Sequence, residues 1–158
     1  MTVEITEYRD THRDALHALF TAEDYRDQAE RLKLGQHLYE KRYVAVRHDA
    51  VLGFVEGTFL DGSGLEPGLF PAPRARIVTL LVSSAARRHR IGSTLLHRFA
   101  TDALDAGRDA LVLFPDPHDP AGRLAFFGRC GLEKLPSGEM LGAHLRTVLA
   151  NTGRAVPS

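Results

Sequence analysis

The sequence predicts a single α/β domain, and two neighbouring segments carry that prediction. The run Ile77–Val82 is short, apolar and rich in β-branched residues, which is typical of a buried strand. After a basic turn, apolar residues recur every three to four positions from Ile91 to Ala103, as on one face of an amphipathic helix. Gly107 then gives the usual signal for a helix end. A buried strand that leads into such a helix indicates a sheet covered by helices.

Length and composition agree with one globular domain and exclude several classes of protein. The chain has 158 residues, of which 44% are hydrophobic and 25% charged. Its 20 basic and 20 acidic residues balance, so no overall charge favours nucleic acid or a membrane surface. The single Cys130 excludes an internal disulfide and any multi-cysteine zinc site, and it fits a reducing compartment. We expect residues 1–150 to form the domain and residues 151–158 to form a tail.

Targeting, membrane and metal signals are weak. The start, Met1–Ile5, lacks the basic and apolar regions of a signal peptide, and no window approaches 18 apolar residues. A cytoplasmic location without membrane contact is therefore expected. His118 lies between two aspartates and could be a base or a metal ligand, but no convergent ligand set accompanies it. The prediction is an exposed histidine in a proline-rich turn and no metal.

The elements before the central strand follow from periodicity and turn residues. In chain order they are a strand over Val3–Tyr8, a short helix after the capping box Thr11–Asp14, a poorly periodic helical stretch over Glu23–Lys41, a hairpin of Arg42–Arg47 and Val51–Leu60, and a glycine- and proline-rich loop over Asp61–Pro73.

The elements after the central helix alternate again. They are a buried strand over Asp109–Phe114, a turn over Pro115–Pro120, a helix over Ala121–Cys130 closed by Gly131, and a strand that begins at Leu132. The last segment, Glu139–Ala150, fits both periodicities. Its apolar positions agree with a strand and with a helix, so both assignments stay open.

The basic junction before the central helix is a candidate anion site. Arg87, Arg88 and Arg90 precede Gly92, which opens the helix. Backbone N–H groups and the positive dipole at a helix start, together with guanidinium groups, suit a phosphate or pyrophosphate. Two alternatives stay open: a basic turn that holds no ligand, and a short basic patch for nucleic acid. The second lacks interleaved aromatic residues.

Two motifs resemble those of the GNAT superfamily of N-acetyltransferases. Leu80 and Val82, then Arg87 and Gly92, resemble the acyl-coenzyme A loop of that family. Arginine replaces glycine at positions 88 and 90, where the N–H groups stay accessible if φ remains negative. The segment Leu124–Leu132 resembles the family's Ala-x-x-Phe-Tyr-x-x-x-Gly-Phe signature. Because the two motifs occur in the family's order and spacing, together they are more specific than either alone.

The resemblance implies a fold and an activity. The fold is a mixed, mostly antiparallel central sheet of six to seven strands, splayed at strand 4 and flanked by about four helices. The activity is direct transfer of an acetyl group from acetyl-coenzyme A (acetyl-CoA) to a primary amine of a small molecule, a protein N-terminus or a lysine. A homodimer is a further implication, whereas metal, nucleic acid and membrane are not. In this family the first helical pair flanks the acceptor site, which implies that Tyr25 and Tyr39 face the substrate; the alternative is that they pack as amphipathic surface aromatics.

The resemblance also implies coenzyme-binding residues. The pantetheine arm would pair with the backbone of Leu80, Leu81 and Val82, and an N–H near Leu81 would polarise the thioester carbonyl. The pyrophosphate would bind at the helix start. The residues implied there are Arg87, Arg88, His89, Arg90, Ile91, Gly92, Ser93 and Thr94.

The implied catalytic positions depart from the family pattern. Arg76 stands where many members have a glutamate base, so Glu56 on the preceding strand is the substitute candidate. Glu56 could instead be a solvent-facing strand residue or a partner of Arg76. Phe127 stands where many members have a tyrosine beside the sulfur, and phenylalanine has no proton to give. A catalytically weak or inactive domain that binds or senses acyl-CoA is therefore the alternative function.

Overall fold

The computed structural model describes residues 2–36, 39–62, 70–115, 119–136 and 138–153, without the side chains of Arg88 and His89. These residues form seven strands and five α-helices. The strands are β1 (Glu4–Glu7), β2 (Lys41–Arg47), β3 (Ala50–Asp61), β4 (Arg74–Val82), β5 (Ala110–Leu113), β6 (Glu133–Lys134) and β7 (Leu141–His144). The helices are α1 (Arg13–Ala22), α2 (Arg26–Lys33), α3 (Ile91–Asp105), α4 (Pro120–Arg129) and α5 (Leu145–Thr152). Short 3-10 turns span Asp10–His12 and Ser84–His89.

The strands form one mixed sheet in the order β1-β2-β3-β4-β5-β7-β6. Every neighbouring pair is antiparallel except β4 and β5, which are parallel. The predicted α/β fold with a mostly antiparallel sheet is therefore confirmed. The structure has five α-helices instead of about four, because the last segment also forms a helix.

Helices cover both faces of the sheet. On one face α3 and α5 pack on the central strands, with Leu95, Phe99 and Leu145 fully buried between them. On the other face α1 and α2 cover β2, β3 and β4, and Phe20 packs edge-on against Phe54. Two apolar layers therefore hold the sheet between them. Within the described part of the chain, no helix is long and apolar enough to cross a membrane.

Strand β4 contains a bulge at the place where it leaves β5. Glu56 lies opposite Thr79, and Gly57 lies opposite Ile77, so Val78 is an extra residue on β4. A Cβ on Gly57 would lie 2.0 Å from the carbonyl oxygen of Arg76, so glycine is required there. The last parallel pair joins Ile77 to Leu113. From Val78 to Val82, therefore, β4 pairs with β3 alone, which is the predicted splay.

Two segments differ from the sequence-based prediction. The helical stretch predicted over Glu23–Lys41 is wrong in extent, because α2 ends at Lys33 and Gly35 turns left-handed, with φ of 71°. The segment Glu139–Ala150 resolves into both candidate structures, β7 followed by α5. Residues 151 and 152 of the predicted tail belong to α5, whereas His118, the loop residues 63–69 and the tail residues 154–158 lie outside the described residues.

Candidate functional site

A cleft of about 270 Å³ opens beside the unpaired half of β4. Leu80 and Val82 line it from the strand, and Arg123 and Phe126 line it from α4. The turn between α1 and α2 contributes the third side through Tyr25. The cleft therefore follows the strand edge that β5 leaves uncovered.

The backbone of β4 presents polar groups to this cleft. The N–H of Ser83 donates to the Leu52 oxygen on β3, at 2.8 Å. Because backbone groups alternate along a strand, those of Leu81 also point to β3, and those of Leu80 and Val82 point to the open side. The carbonyl of Leu80 confirms this, since it accepts from Arg123 Nη1 at 2.8 Å. The edge at Leu80 and Val82 therefore faces the cleft: Arg123 already uses the Leu80 carbonyl, and the Leu80 N–H and the backbone groups of Val82 are placed to pair with an added strand.

Leu81 differs from its two neighbours among the predicted coenzyme contacts. Its side chain is 1% exposed and packs with α1 and α2. Since its backbone groups point to β3, Leu81 does not present its own N–H on the open edge, and the donor expected near Leu81 has to be that of a neighbour. The N–H groups of Leu80 and Val82 lie there instead.

The far end of the cleft is the start of α3. Arg87 and Gly92 line it, and a Cβ on Gly92 would meet the Phe126 ring at 3.2 Å. The first helical bond runs from Thr94 N–H to the Arg90 oxygen, at 3.0 Å. The N–H groups before Thr94 therefore have no acceptor within α3 itself. Such groups beside a basic turn can bind an anion.

The remaining residues predicted for this end fall into different environments. Ile91 is 1% exposed and belongs to the core. The hydroxyl of Thr94 is used locally, since it donates to the Arg90 oxygen at 2.7 Å. Ser93 is 3% exposed, and its Oγ has no hydrogen-bond partner among the described residues. Arg88 and His89 cannot be assigned because their side chains are outside the described set.

Arg90 corrects one expectation about the basic turn. We expected the arginines at glycine positions to keep negative φ, but Arg90 has φ of 58° and ψ of 23°. The chain must reverse between the 3-10 turn and α3, and a left-handed residue makes that reversal. Position 90 therefore keeps the conformation for which glycine is suited, although it carries arginine.

A carboxylate is already bound at the basic turn. Glu23 accepts from the Ser84 N–H at 3.2 Å and from the Ser84 hydroxyl at 3.0 Å. Its other oxygen lies 3.4 Å from Arg87 Nη2, and its side chain is only 10% exposed. The end of α1 is thereby joined to the turn, and the turn is shown to accommodate an anionic group.

The two phenylalanines of α4 face different surroundings. Phe127 is 3% exposed and lies in the core with α3 and α5. Phe126 lines the cleft and meets Phe127 edge-on, with ring centroids 5.2 Å apart. The aromatic ring on the cleft is therefore that of Phe126, one position before the residue predicted from the motif.

Glu56 lies in a smaller pocket of about 30 Å³ on the α1 and α2 side of the sheet. It is 9% exposed, and burial raises the pKa of its carboxyl to about 7. Arg42, the Tyr39 backbone N–H and Arg31 oppose that rise. Arg76 is not among these partners, because its guanidinium lies over the Phe114 ring, 5.3 Å from the centroid. Glu56 is thus a buried carboxyl and not a solvent-facing strand residue.

Sequence reasoning missed the contribution of α4 to the cleft. Asp119 is the N-cap of this helix, with Oδ1 3.3 Å from the Gly122 N–H, and Pro120 takes the first helical position. That Asp-Pro pair is a recognisable start signal, and it would have placed Arg123 in the first turn. No group of three or more His, Cys, Asp or Glu residues within the described ranges could hold a metal ion.

Comparison with known proteins assigns the family. Residues 5–132 match the Acetyltransferase (GNAT) family. No curated protein is significantly similar in sequence to this chain. Solved structures are similar in fold, and several belong to acetyltransferases.

Three of these structures show the extent of the similarity. An acetyltransferase of the GNAT family from Staphylococcus aureus Mu50 superposes with a TM-score of 0.71 at 14% identity, over 91% of this chain and 99% of that one. PaiA N-acetyltransferase from Thermoplasma acidophilum, in complex with coenzyme A, gives 0.59 at 14% identity, over 91% and 99%. An integron cassette protein from Vibrio cholerae gives 0.66 at 28% identity, over 88% and 90%. With its splayed sheet, open strand edge and family match, the chain belongs to the GNAT family of acetyltransferases.

Proposed function

We propose that this chain transfers an acetyl group from acetyl-CoA to a primary amine of a small molecule, a protein N-terminus or a lysine. One observation carries the proposal: the open edge at Leu80 and Val82 faces a cleft that ends at the start of α3. The coenzyme A complex of PaiA, which shares the fold, supports the choice of coenzyme.

The cleft suits an extended molecule with a phosphate at one end. The amide groups of a pantetheine arm would pair with Leu80 and Val82 as an added strand. The pyrophosphate would then reach the N–H groups at the start of α3 and the guanidinium of Arg87. The thioester would lie at the Leu80 end, where a backbone N–H can polarise its carbonyl.

Glu56 is the proposed general base. An amine must lose a proton before it attacks, and a base works best when its pKa lies near the working pH. The pKa of about 7 for Glu56 meets that condition. Since Glu56 lines the smaller pocket and not the cleft, the proton would reach it through water.

A domain that binds or senses acyl-CoA with little or no transfer is the second candidate. The observation that favours it is the burial of Phe127 in the core, together with Arg76 at the expected glutamate position. Both candidates require coenzyme binding. Release of free thiol that depends on an amine would distinguish them, because only the transferase produces it.

Calorimetric titration with acetyl-CoA tests coenzyme binding. Gly92→Leu would place a side chain between Phe126 and Val82 at the anion end, so we expect affinity to fall at least about tenfold. Gly128→Leu is the matched control, because a Cβ there meets nothing within 4 Å. If the wild type binds neither acetyl-CoA nor free coenzyme A, both candidates are wrong. Equal affinity of the wild type and Gly92→Leu would show that the coenzyme does not bind in this cleft.

A further inference from the structure

One guanidinium joins three parts of the fold at the Leu80 end of the cleft. Arg123, in the first turn of α4, donates through Nη1 to the Leu80 carbonyl at 2.8 Å. Its Nη2 donates to the hydroxyl oxygen of Tyr25, in the turn between α1 and α2. Tyr25 is 3% exposed, and its ring lies against Phe20 with centroids 6.4 Å apart. Tyr25 and Arg123 are therefore fixed beside the open strand edge.

The direction of the contact between Arg123 and Tyr25 matters chemically. A guanidinium can only donate hydrogen bonds, so the Tyr25 oxygen is the acceptor, and its own proton takes no part in this contact. Among the described residues that line the cleft, Tyr25 alone carries a hydroxyl. The cleft therefore has one phenol beside a permanent positive charge at this end.

Acyl transfer is accelerated by such a pair at the leaving sulfur. When the amine nitrogen bonds to the thioester carbon, the C–S bond breaks and its electron pair leaves on sulfur. The resulting thiolate departs more readily if it receives a proton at that moment. Phe126 and Phe127 cannot supply one.

We propose that Tyr25 is the general acid of the transfer and that Arg123 is its positioning residue. This proposal rests on the proposed function, which places the thioester at Leu80. Tyr25 passes its hydroxyl proton to the sulfur, and the tyrosinate that forms is held by the Arg123 guanidinium. The amine proton passes to Glu56 through water, Glu56 then releases it to solvent, and solvent returns a proton to Tyr25, so the cycle balances.

Two ligands that differ only in the thiol test whether Tyr25 touches the sulfur. The wild type is titrated with coenzyme A and with desulfo-coenzyme A, and the same is done with Tyr25→Phe. We expect the wild type to prefer the thiol form about tenfold, the ratio that a hydrogen bond to a partly ionised sulfur would give. Tyr25→Phe should bind both forms equally, with unchanged affinity for the desulfo form. If Tyr25 had only a structural role, Tyr25→Phe would lower the affinity for both ligands by the same factor.

Transfer to hydroxylamine, which is uncharged near pH 7, provides the kinetic readout. We expect Tyr25→Phe to lower kcat for thiol release about 100-fold with little change in KM. Arg123→Gln should lower kcat as well, and Arg123→Lys should restore part of it because the charge returns. Tyr43→Phe and Arg26→Gln are the controls: the Tyr43 hydroxyl bonds Asp102 in the core, and Arg26 is 88% exposed beside Asp24.

The outcomes separate this proposal from the proposed function. If neither ligand binds the wild type, the proposed function and the role of Tyr25 are both overturned. If both bind the wild type equally, the coenzyme site stands and the assignment of Tyr25 is overturned. The binding measurement decides this even if hydroxylamine is not accepted. Should Tyr25→Phe fail to fold, Arg123→Gln replaces it, and an unchanged thiol preference there would remove Arg123 from the proposal.

Discussion

The two halves of β4 differ in what lies along their outer edge. From Arg74 to Ile77 the strand pairs with β3 on one side, and from Ala75 to Ile77 it also pairs with β5 on the other. From Val78 to Val82 it pairs with β3 alone, and its outer edge faces the cleft. The bulge at Val78 separates the halves. One strand therefore lies in the sheet interior over its first half and forms an open edge over its second.

The contacts at each half match these roles. The paired half is anchored by a buried ion pair, in which Arg74 Nε lies 3.1 Å from Asp61 Oδ2, with the side chains 3% and 8% exposed. The open half instead contacts Arg123, whose long side chain reaches the Leu80 carbonyl from α4. Changes in the first half should therefore affect folding, and changes around the second should affect ligand binding and transfer.

The largest expected effect is on the paired half. Arg74→Met removes the guanidinium that meets Asp61 and also donates to the Phe70 oxygen at 2.9 Å. It takes the arginine partner away from a buried carboxylate, so we expect the free energy of unfolding to fall by about 3–5 kcal/mol. Urea unfolding monitored by circular dichroism measures this change.

The double variant Arg74→Met with Asp61→Leu is the control. Removing both charges should recover most of the lost stability, because apolar replacements of a buried pair are close to neutral. Coenzyme affinity should remain within about threefold of the wild type whenever the protein is folded. A loss of affinity as large as the loss of stability would contradict the division of β4 into two halves.

The sequence predicted the open half better than the residues around it. The motif spacing located the strand edge and the helix start, because the residues that carry it lie close together in the chain. They are Leu80, Val82, Arg87 and Gly92. Arg123 and Tyr25 are 98 positions apart, and no local pattern connects them. Their meeting depends on how α4 and the turn between α1 and α2 pack around β4.

The choice between Phe126 and Phe127 shows a second limit. The motif located the helix that carries both rings, but which ring faces the cleft depends on the rotation of α4 about its axis. That rotation is set by tertiary packing, which buries Phe127 against the core. Likewise, burial of Glu56 follows from the cover that α1 and α2 provide, which an alternating strand pattern alone does not reveal.

A smaller effect is expected at Glu56, which lies opposite Thr79 beside the bulge. Burial raises its pKa from 4.5 to about 7, so the folded state disfavours the charged form. The contribution of the protonated carboxyl to the free energy of unfolding is fully present below about pH 4.5 and is lost as the pH rises through 7. Glu56→Gln should therefore gain stability relative to the wild type by about 3 kcal/mol between pH 4.5 and pH 8.

Unfolding of Glu56→Gln in urea at several pH values measures this gain, with Glu133→Gln, an exposed change on β6, as the control. Glu56→Gln should lower the activity although it raises the stability. Amine-dependent thiol release by the wild type should rise with an apparent pKa near 7, and Glu56→Gln should lose that rise. A pH-independent stability difference would show that Glu56 ionises normally in the folded protein.

The smallest expected effect concerns Arg90, at the start of the helix that closes the open half. Its φ of 58° costs an L-residue about 1–2 kcal/mol, whereas glycine adopts it freely but loses about 0.5–1 kcal/mol more backbone entropy on folding. Arg90→Gly should therefore be about 0.5–1 kcal/mol more stable than Arg90→Ala, which removes the same charge without relieving the strain. Urea unfolding of the two variants measures the difference.

Because both variants lack the guanidinium, any difference in their coenzyme affinity reports the backbone of the turn alone. If Arg90→Ala is the more stable of the two, position 90 is not left-handed in the folded protein, and the helix start would then present its N–H groups differently.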